Sequence, residues 1–202
     1  MLRSLFYSII NAIIPMRSTE VCVASLSTEA LEQLRHSDGL PYHDPRVTAL
    51  VWEVKYKAST HALQLAGAYL AEELLGIAQE ELGTIMLVPV PMHAERRKAR
   101  GYNQTELLCK AALAQTKSDG FEYAPWALER TKNAAPQQTL ARHKRLHNVK
   151  NSMYAPQPEK IKGKVCIVVD DVATTGATLA EASRALMCAG ARKVHLVALA
   201  RS

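Results

Sequence analysis

The apolar residues change spacing several times along the chain. From Arg46 to Leu75 they fall at Val47, Leu50, Val51, Val54, Leu63, Ala66, Leu70 and Leu74, largely three and four positions apart. That is the period of one buried helix face, and it predicts helix with an interruption near Lys55–Ser59. Thr84 to Val90 (TIMLVPV) is instead a continuous apolar run with β-branched residues. Such a run predicts a strand buried on both faces. Helical spacing returns from Tyr102 to Gln115, after a boundary at Gly101. Trp126 to Thr131 can form a further strand, and Lys132 to Gln138 is rich in breakers and reads as a loop.

The last forty residues are the most regular. Lys164 to Val169 (KVCIVV) is a second apolar strand, Ala177 to Ala189 a helix ended by Gly190, and Lys193 to Leu199 (KVHLVAL) a third strand. Strand, helix, strand is a βαβ unit, which requires parallel strands and a right-handed crossover. The expected fold class is α/β, with a central, mostly parallel sheet flanked by helices. Ligands of such sheets bind at the carboxyl ends of the strands.

The N-terminal region reads differently. Leu2 to Ile14 is mostly apolar, with Arg3 near its start and Pro15 after it. It is too short to span a bilayer, and no small-x-small cleavage site follows. An amphipathic helix docked on the protein or on a partner is expected. Thr28 to His36 predicts a short helix, followed by the breakers Ser37, Asp38, Gly39 and Pro41. Residues 1–44 therefore read as a small, mainly helical N-terminal segment and 45–202 as the main domain.

Composition narrows the class. With 48% apolar and 22% charged residues, the 202-residue chain is neither disordered nor collagen-like. The net charge is +6, and residues 92–151 alone carry 12 basic against 5 acidic side chains. An anionic partner belongs there; polyphosphate and nucleic acid both fit the charge. The cysteines, Cys22, Cys109, Cys166 and Cys188, form no pair at zinc-ligand spacing. Buried thiols at Cys109, Cys166 and Cys188 are expected, as suits a reducing, cytoplasmic setting.

The chemistry concentrates where the second strand meets its helix. Asp170 and Asp171 are followed by Val172, Ala173, Thr174, Thr175, Gly176, Ala177 and Thr178. A helix N-terminus offers unpaired N–H groups and the positive end of the dipole. Gly176 lets the backbone adopt φ > 0 and approach a phosphate. Thr174, Thr175 and Thr178 add hydroxyl donors. Carboxylates cannot bind phosphate, but they accept hydrogen bonds from sugar hydroxyls or steady a hydrated magnesium ion held by the ligand. The combination suits a phosphorylated sugar. The alternative is an ordinary strand-to-helix turn with Asp and Thr as caps. No Walker or dinucleotide-binding fingerprint is present.

VCIVVDDVATTGAT resembles the phosphoribosyl pyrophosphate (PRPP) loop of type I phosphoribosyltransferases. LVPVPMHAERRKARGYNQTELL (87–108) and APQQTLARHKRLHNV (135–149) resemble segments of the ComF/GntX-like family of that fold. The pair Lys55–Tyr56 falls where that family has its own Lys-Tyr pair.

The resemblance implies a type I phosphoribosyltransferase-like fold and a set of roles. Asp170 and Asp171 would hold the ribose hydroxyls, and Ala173 to Thr178 would cradle the 5′-phosphate. The loop from Val90 to Gln104 would take the pyrophosphate through Arg96, Arg97, Lys98, Arg100, Asn103 and Gln104. Pro91 is a place where unusual peptide geometry could occur. The stretch 131–149 matches the mobile loop of the fold, with Arg142 and Arg145 as catalytic clamps and Gln137 and Asn148 as neutral donors. Its bland alternative is a surface helix from about Thr139 to Lys150. His143 and His147 stand four apart, but no third ligand makes a zinc site of them. His195 alternates within a strand and reads as structural.

The implied activity is magnesium-dependent transfer of a phosphoribosyl group from PRPP to an unknown nitrogen acceptor, with release of pyrophosphate. No covalent nucleophile is needed, and no Ser-His-Asp or Cys-His arrangement offers one. The alternative, also implied, is a non-catalytic PRPP-sensing accessory protein of DNA uptake or sugar-acid utilisation. Family members typically begin with a zinc module built from Cys pairs; only Cys22 stands in that region here, so no zinc is expected. The acceptor-selecting hood would come from residues 1–57, whose sequence does not specify the acceptor. A homodimer is expected from the fold class. Nucleic acid is the weaker partner, since the basic stretch lacks a known reading motif.

Overall fold

The computed structural model describes residues 16–36, 39–131 and 151–202. The elements in chain order are α1 (Met16–Ala24), α2 (Thr28–Leu34), β1 (Leu40–Pro41), α3 (Pro45–Trp52), a π-helical turn (Glu53–Lys57) and α4 (Thr60–Gln79). They continue with β2 (Ile85–Pro89), α5 (Ala94–Arg100), α6 (Gln104–Thr116), β3 (Phe121–Tyr123), β4 (Glu129–Arg130), β5 (Met153–Tyr154) and α7 (Pro158–Ile161). The chain closes with β6 (Val165–Ala173), α8 (Ala177–Cys188) and β7 (Lys193–Arg201).

Five strands form one sheet in the order β1-β7-β6-β2-β3, parallel throughout. Successive residues of its central strands face opposite layers. Leu87, Ile167, Val169 and Leu199 join a core with α3, α4 and α6. Met86, Val88, Cys166, Val168 and Ala198 join a second core with α8. Burial on both faces is why these strands are apolar without alternation. Helices α4 and α6 pack so closely that Gly67 faces the backbone of Ala111. The expected α/β architecture, a type I phosphoribosyltransferase-like fold with helices on both faces, is the one observed.

Several local expectations need correction. Strand β6 does not stop at Val169. It runs on through Asp170 and Asp171 to Ala173, because β7 extends to Arg201 and supplies partners for Asp170, Val172 and Ala173 at Ala198, Ala200 and Arg201. The stretch Val90–Gln104 is not a plain loop, since α5 forms within it, ended by Gly101 at φ +86°. Between Trp126 and Thr131 only Glu129 and Arg130 are strand, paired antiparallel with Tyr154 and Met153 outside the main sheet. Leu40–Pro41, within the expected breaker run, adds an edge strand beside Ala200–Arg201. Helix α2 ends at Leu34, as Arg35 turns extended and His36 bridges Gly39. Cys109 and Cys166 are buried as expected, but Cys188 is exposed at the last turn of α8.

The interruption expected near Lys55–Ser59 is the π-helical turn, which ends at Ala58 in the left-handed region. Its first residue, Glu53, is buried and accepts a hydrogen bond from Thr19 Oγ1 at 2.6 Å. The peptide bonds described, Val90–Pro91 among them, are all trans. No helix among the described residues is long and apolar enough to cross a membrane. The apolar segment Leu2–Ile14 lies outside the described residues, as do Gln137, Arg142, His143, Arg145, His147 and Asn148.

Candidate functional site

A cleft of about 180 Å³ opens at the carboxyl ends of β2 and β6. Asp170 and Asp171, Arg96 and Arg100, Asn103 and Gln104 all line it, with Thr178 from the first turn of α8. The parallel sheet produces this convergence. Val90 N–H donates to Val169 O at 2.9 Å, so the two chain exits leave the sheet side by side. Asn103 Nδ2 and Thr105 Oγ1 then both donate to Val90 O, at 3.1 and 2.7 Å. These bonds pin the start of α6 against the end of β2.

The carboxylate pair is buried and ordered by its neighbours. Asp171 N–H donates to Asp170 Oδ1 at 2.9 Å, and Val172 N–H donates to Asp171 Oδ1 at 2.8 Å. Gln104 Nε2 donates to Asp171 Oδ2 at 3.0 Å, and Lys55 Nζ lies 3.8 Å from the same oxygen. Arg100 Nη1 in turn donates to Gln104 Oε1 at 2.8 Å. Burial, and then the Asp171 carboxylate beside it, push the Asp170 carboxyl well above the usual carboxylate range; Arg130 acts in the opposite direction.

The small-residue turn opens α8. Gly176 sits at the N-cap with φ +71°, so the turn uses the left-handed backbone expected of it. No side chain caps this helix from that position, though Thr175 Oγ1 accepts weakly from Ala177 N–H at 3.4 Å. Thr174 and Thr175 are exposed and Ala173 is buried in the strand. Thr178 is the residue of this turn that lines the cleft.

The basic residues expected together are split by α5. Arg96 and Arg100, four apart on one helix face, line the cleft. Arg97 is turned about 100° away by the helical period. It pairs with Glu106, Nη2 donating to Oε2 at 3.1 Å, and faces a second hollow of about 270 Å³. Lys98 lines neither space. Helical geometry thus corrects the grouping of Arg97 and Lys98 with the cleft.

Two cationic side chains of the cleft, Lys55 and Arg130, lay outside the site set read from the sequence. Lys55 is carried in by the π-helical turn, where Tyr102 Oη donates to its carbonyl at 3.2 Å. Its Lys-Tyr dipeptide was the available signal. Arg130 comes from β4 and lines both hollows. Its only trace in the sequence was a basic residue at the end of a weak strand pattern. Among the described residues, no group of three or more His, Cys, Asp or Glu side chains is arranged to hold a metal ion. His195 serves the structure, with Nε2 2.9 Å from Glu81 Oε1.

The chain's sequence relatives agree with this architecture. The phosphoribosyl transferase domain model matches residues 120–202. The DNA utilization protein YhgH of Salmonella typhi is 30% identical over 163 residues, 79% of this chain and 69% of that protein. Competence protein F of Haemophilus influenzae is 31% identical over 117 residues, 57% of this chain and 50% of that protein. Among solved structures, the glutamine PRPP amidotransferase of B. subtilis superposes with a TM-score of 0.45 at 19% identity, over 74% of this chain and 30% of that one. With the parallel sheet, its carboxylate strand and these relatives in agreement, the chain belongs to the ComF-like family of proteins with the type I phosphoribosyltransferase fold.

Proposed function

We propose that the cleft binds PRPP with magnesium and supports transfer of its phosphoribosyl group to a nitrogen acceptor. The observation that carries this reading is the Asp170–Asp171 pair, set at the end of β6 between Lys55 and Gln104 and sharing one cleft with Thr178 of the open turn. Carboxylates suit the ribose diol, and the turn suits the 5′-phosphate. Arg96 and Arg100 supply positive charge for the pyrophosphate. Cleavage of the bond from the anomeric carbon to pyrophosphate leaves the electron pair on the leaving group. The acceptor nitrogen forms the new bond and gives up its proton to solvent. Asp170 and Asp171 lie where positive charge grows on the ribose, which favours that step.

The donor set fits a magnesium ion carried by the ligand rather than by the protein. Two carboxylates line the cleft, and no third protein ligand joins them among the described residues. Bound there, the ion supplies charge neutralisation to the diphosphate.

A second reading follows from the relatives' names, DNA utilization protein and competence protein. On it, the same site senses PRPP without turnover in an accessory protein of DNA uptake. Titration calorimetry of PRPP with magnesium tests the shared element, on the wild type and on Asp170→Asn/Asp171→Asn. Binding lost in the variant is expected. A folded wild type that binds no PRPP overturns both readings. Pyrophosphate release on addition of candidate bases then separates transferase from sensor.

A further inference from the structure

Glu53 is a buried carboxylate that the cleft chemistry does not use. It is 2% exposed and opens the π-helical turn. Burying a carboxylate is costly unless the group is paired and hydrogen-bonded. Here Thr19 Oγ1 of α1 donates to Oε1 at 2.6 Å, and Lys57 Nζ lies 3.3 Å from the same oxygen. Helix α1 adds a second tie, since Glu20 Oε2 lies 3.5 Å from Lys57 Nζ. The Lys57 ammonium also sits 5.7 Å from the centre of the Trp52 ring. Thr19, Glu20, Glu53 and Lys57 all stand outside the lining of the carboxylate cleft.

Lys55 lies between Glu53 and Lys57 in the chain, and it does reach the cleft. Residues two apart on a helical turn do not share a face. Directing Glu53 and Lys57 at α1 therefore directs Lys55 away from it, where its Nζ lies 3.8 Å from Asp171 Oδ2. The backbone departs from an α-helix to do this. Ala58 N–H donates to Glu53 O, the long-range bond of a π-helix, and Ala58 itself takes the left-handed region at φ +48°. A non-glycine residue keeps that conformation only where its surroundings over-determine it. On one side the surroundings are the cluster of Thr19, Glu20, Glu53 and Lys57. On the other, Tyr102 Oη is bonded to the Lys55 carbonyl, and Arg100 sits 5.1 Å from the centre of the Tyr56 ring. π-Helical turns recur at functional sites.

We propose that Glu53 is a positioning residue for the cleft: held by Thr19 of α1, it sets the π-helical turn so that the Lys55 ammonium stands against Asp171. Helix α1 thereby contributes to ligand binding, although none of its residues lines the cleft. The physical reason is charge. An anionic ligand approaching two carboxylates is repelled by them, and a cation beside one of them reduces that repulsion. With Lys55 turned away, the pair faces the ligand with less compensation, and a polyphosphate feels the change most. The effect on binding rests on the PRPP reading; the placement of Lys55 does not.

The test uses the full chain and two readouts. The first needs no ligand: the rate at which an N-hydroxysuccinimide ester acylates Lys55, resolved by peptide mass spectrometry against exposed Lys162. Glu53→Gln is expected to raise the Lys55 rate about threefold, because an ammonium released from its carboxylate is free to react. The second is calorimetry of PRPP with magnesium. Glu53→Gln is expected to weaken binding about fivefold in the wild-type background and to change it less than about twofold in a Lys55→Met background. Thr19→Val, which leaves Glu53 and Lys57 in place, is expected to move both readouts in the same direction by less, and it carries the test if Glu53→Gln does not fold. A Lys55 rate unchanged in a folded Glu53→Gln protein overturns the assignment. So does an equal loss of affinity with and without Lys55, since Glu53 would then act through the fold at large. Faster labelling with full PRPP affinity overturns the role in binding. A wild type that binds no PRPP, but in which Glu53→Gln exposes Lys55, removes the sugar reading and keeps the placement.

Discussion

Gln104 Nε2 donates to Asp171 Oδ2 at 3.0 Å, joining two residues 67 positions apart in the chain. The same amide accepts from Arg100 Nη1. One side chain therefore couples the basic helix α5 to the carboxylate strand, and the orientation of Asp171 depends on it.

Gln104→Leu keeps the volume and removes both bonds. Asp171 retains Lys55 at 3.8 Å and the Val172 N–H. Leaving polar partners unpaired beside a buried carboxylate costs about 1–3 kcal/mol of stability. Calorimetry should also show PRPP binding about tenfold weaker, the equivalent of ~1.4 kcal/mol. Affinity unchanged in a folded Gln104→Leu protein would show that Asp171 needs no such support.

Asp170 should cost the fold stability at neutral pH. Its carboxyl is raised by burial and by Asp171, so between the unfolded and the folded values the folded protein binds a proton more tightly than the unfolded chain does. For a raised carboxyl, stability is complete below the unfolded value, about 3.9, and is lost as pH rises through the folded value. Asp170→Asn removes the charge that burial penalises. Its melting temperature should exceed that of the wild type at pH 7.5, with the difference shrinking towards pH 4. A difference independent of pH would contradict this origin.

Glu81 has the opposite sign. Hydrogen bonds from Lys193 at 2.5 Å and His195 at 2.9 Å hold its carboxyl below the usual range. Stability from a depressed carboxyl is present above the unfolded value, about 4.3, and is lost as pH falls through the folded value. Thermal melts of Glu81→Gln should lie below those of the wild type at pH 7. The two should converge as the pH is taken below that of an ordinary glutamate. Parallel curves throughout would mean that Glu81 is not the titrating group.

Gly67 is required by the approach of α4 to α6. A β-carbon there would stand 2.8 Å from both the carbonyl carbon and the Cβ of Ala111. Alanine gains about 1 kcal/mol of helix propensity over glycine. Overpacking against backbone that cannot yield costs about 1–3 kcal/mol and should outweigh it. Gly67→Ala is therefore expected to lower the urea midpoint, and a raised midpoint would show that the helices can part without loss.

The candidate site was legible where chemistry and local pattern coincide. Asp170, Asp171 and the Gly176 turn stand together in the sequence, between an apolar strand and a helix. Arg96, Arg97, Lys98 and Arg100 were legible only as a basic group. Forming α5 separated them, because neighbours on a helix diverge by about 100° while residues four apart share a face. Arg96 and Arg100 thus reached the cleft, and Arg97 reached Glu106.

The sequence alone determined the parallel core. Strands buried on both faces need unbroken apolar runs, and β2, β6 and β7 carry that signal in their own residues. It also determined that a carboxylate pair precedes a helix N-terminus. Tertiary structure decided which distant side chains meet that pair. Lys55 arrives because a π-helical turn, braced by buried Glu53, shifts its direction. Arg130 arrives because a two-residue ladder is anchored on Glu181 and Arg184 of α8. Neither position has a local period to announce it. Their directions are set by packing between segments far apart in the chain, and a one-dimensional pattern does not encode that.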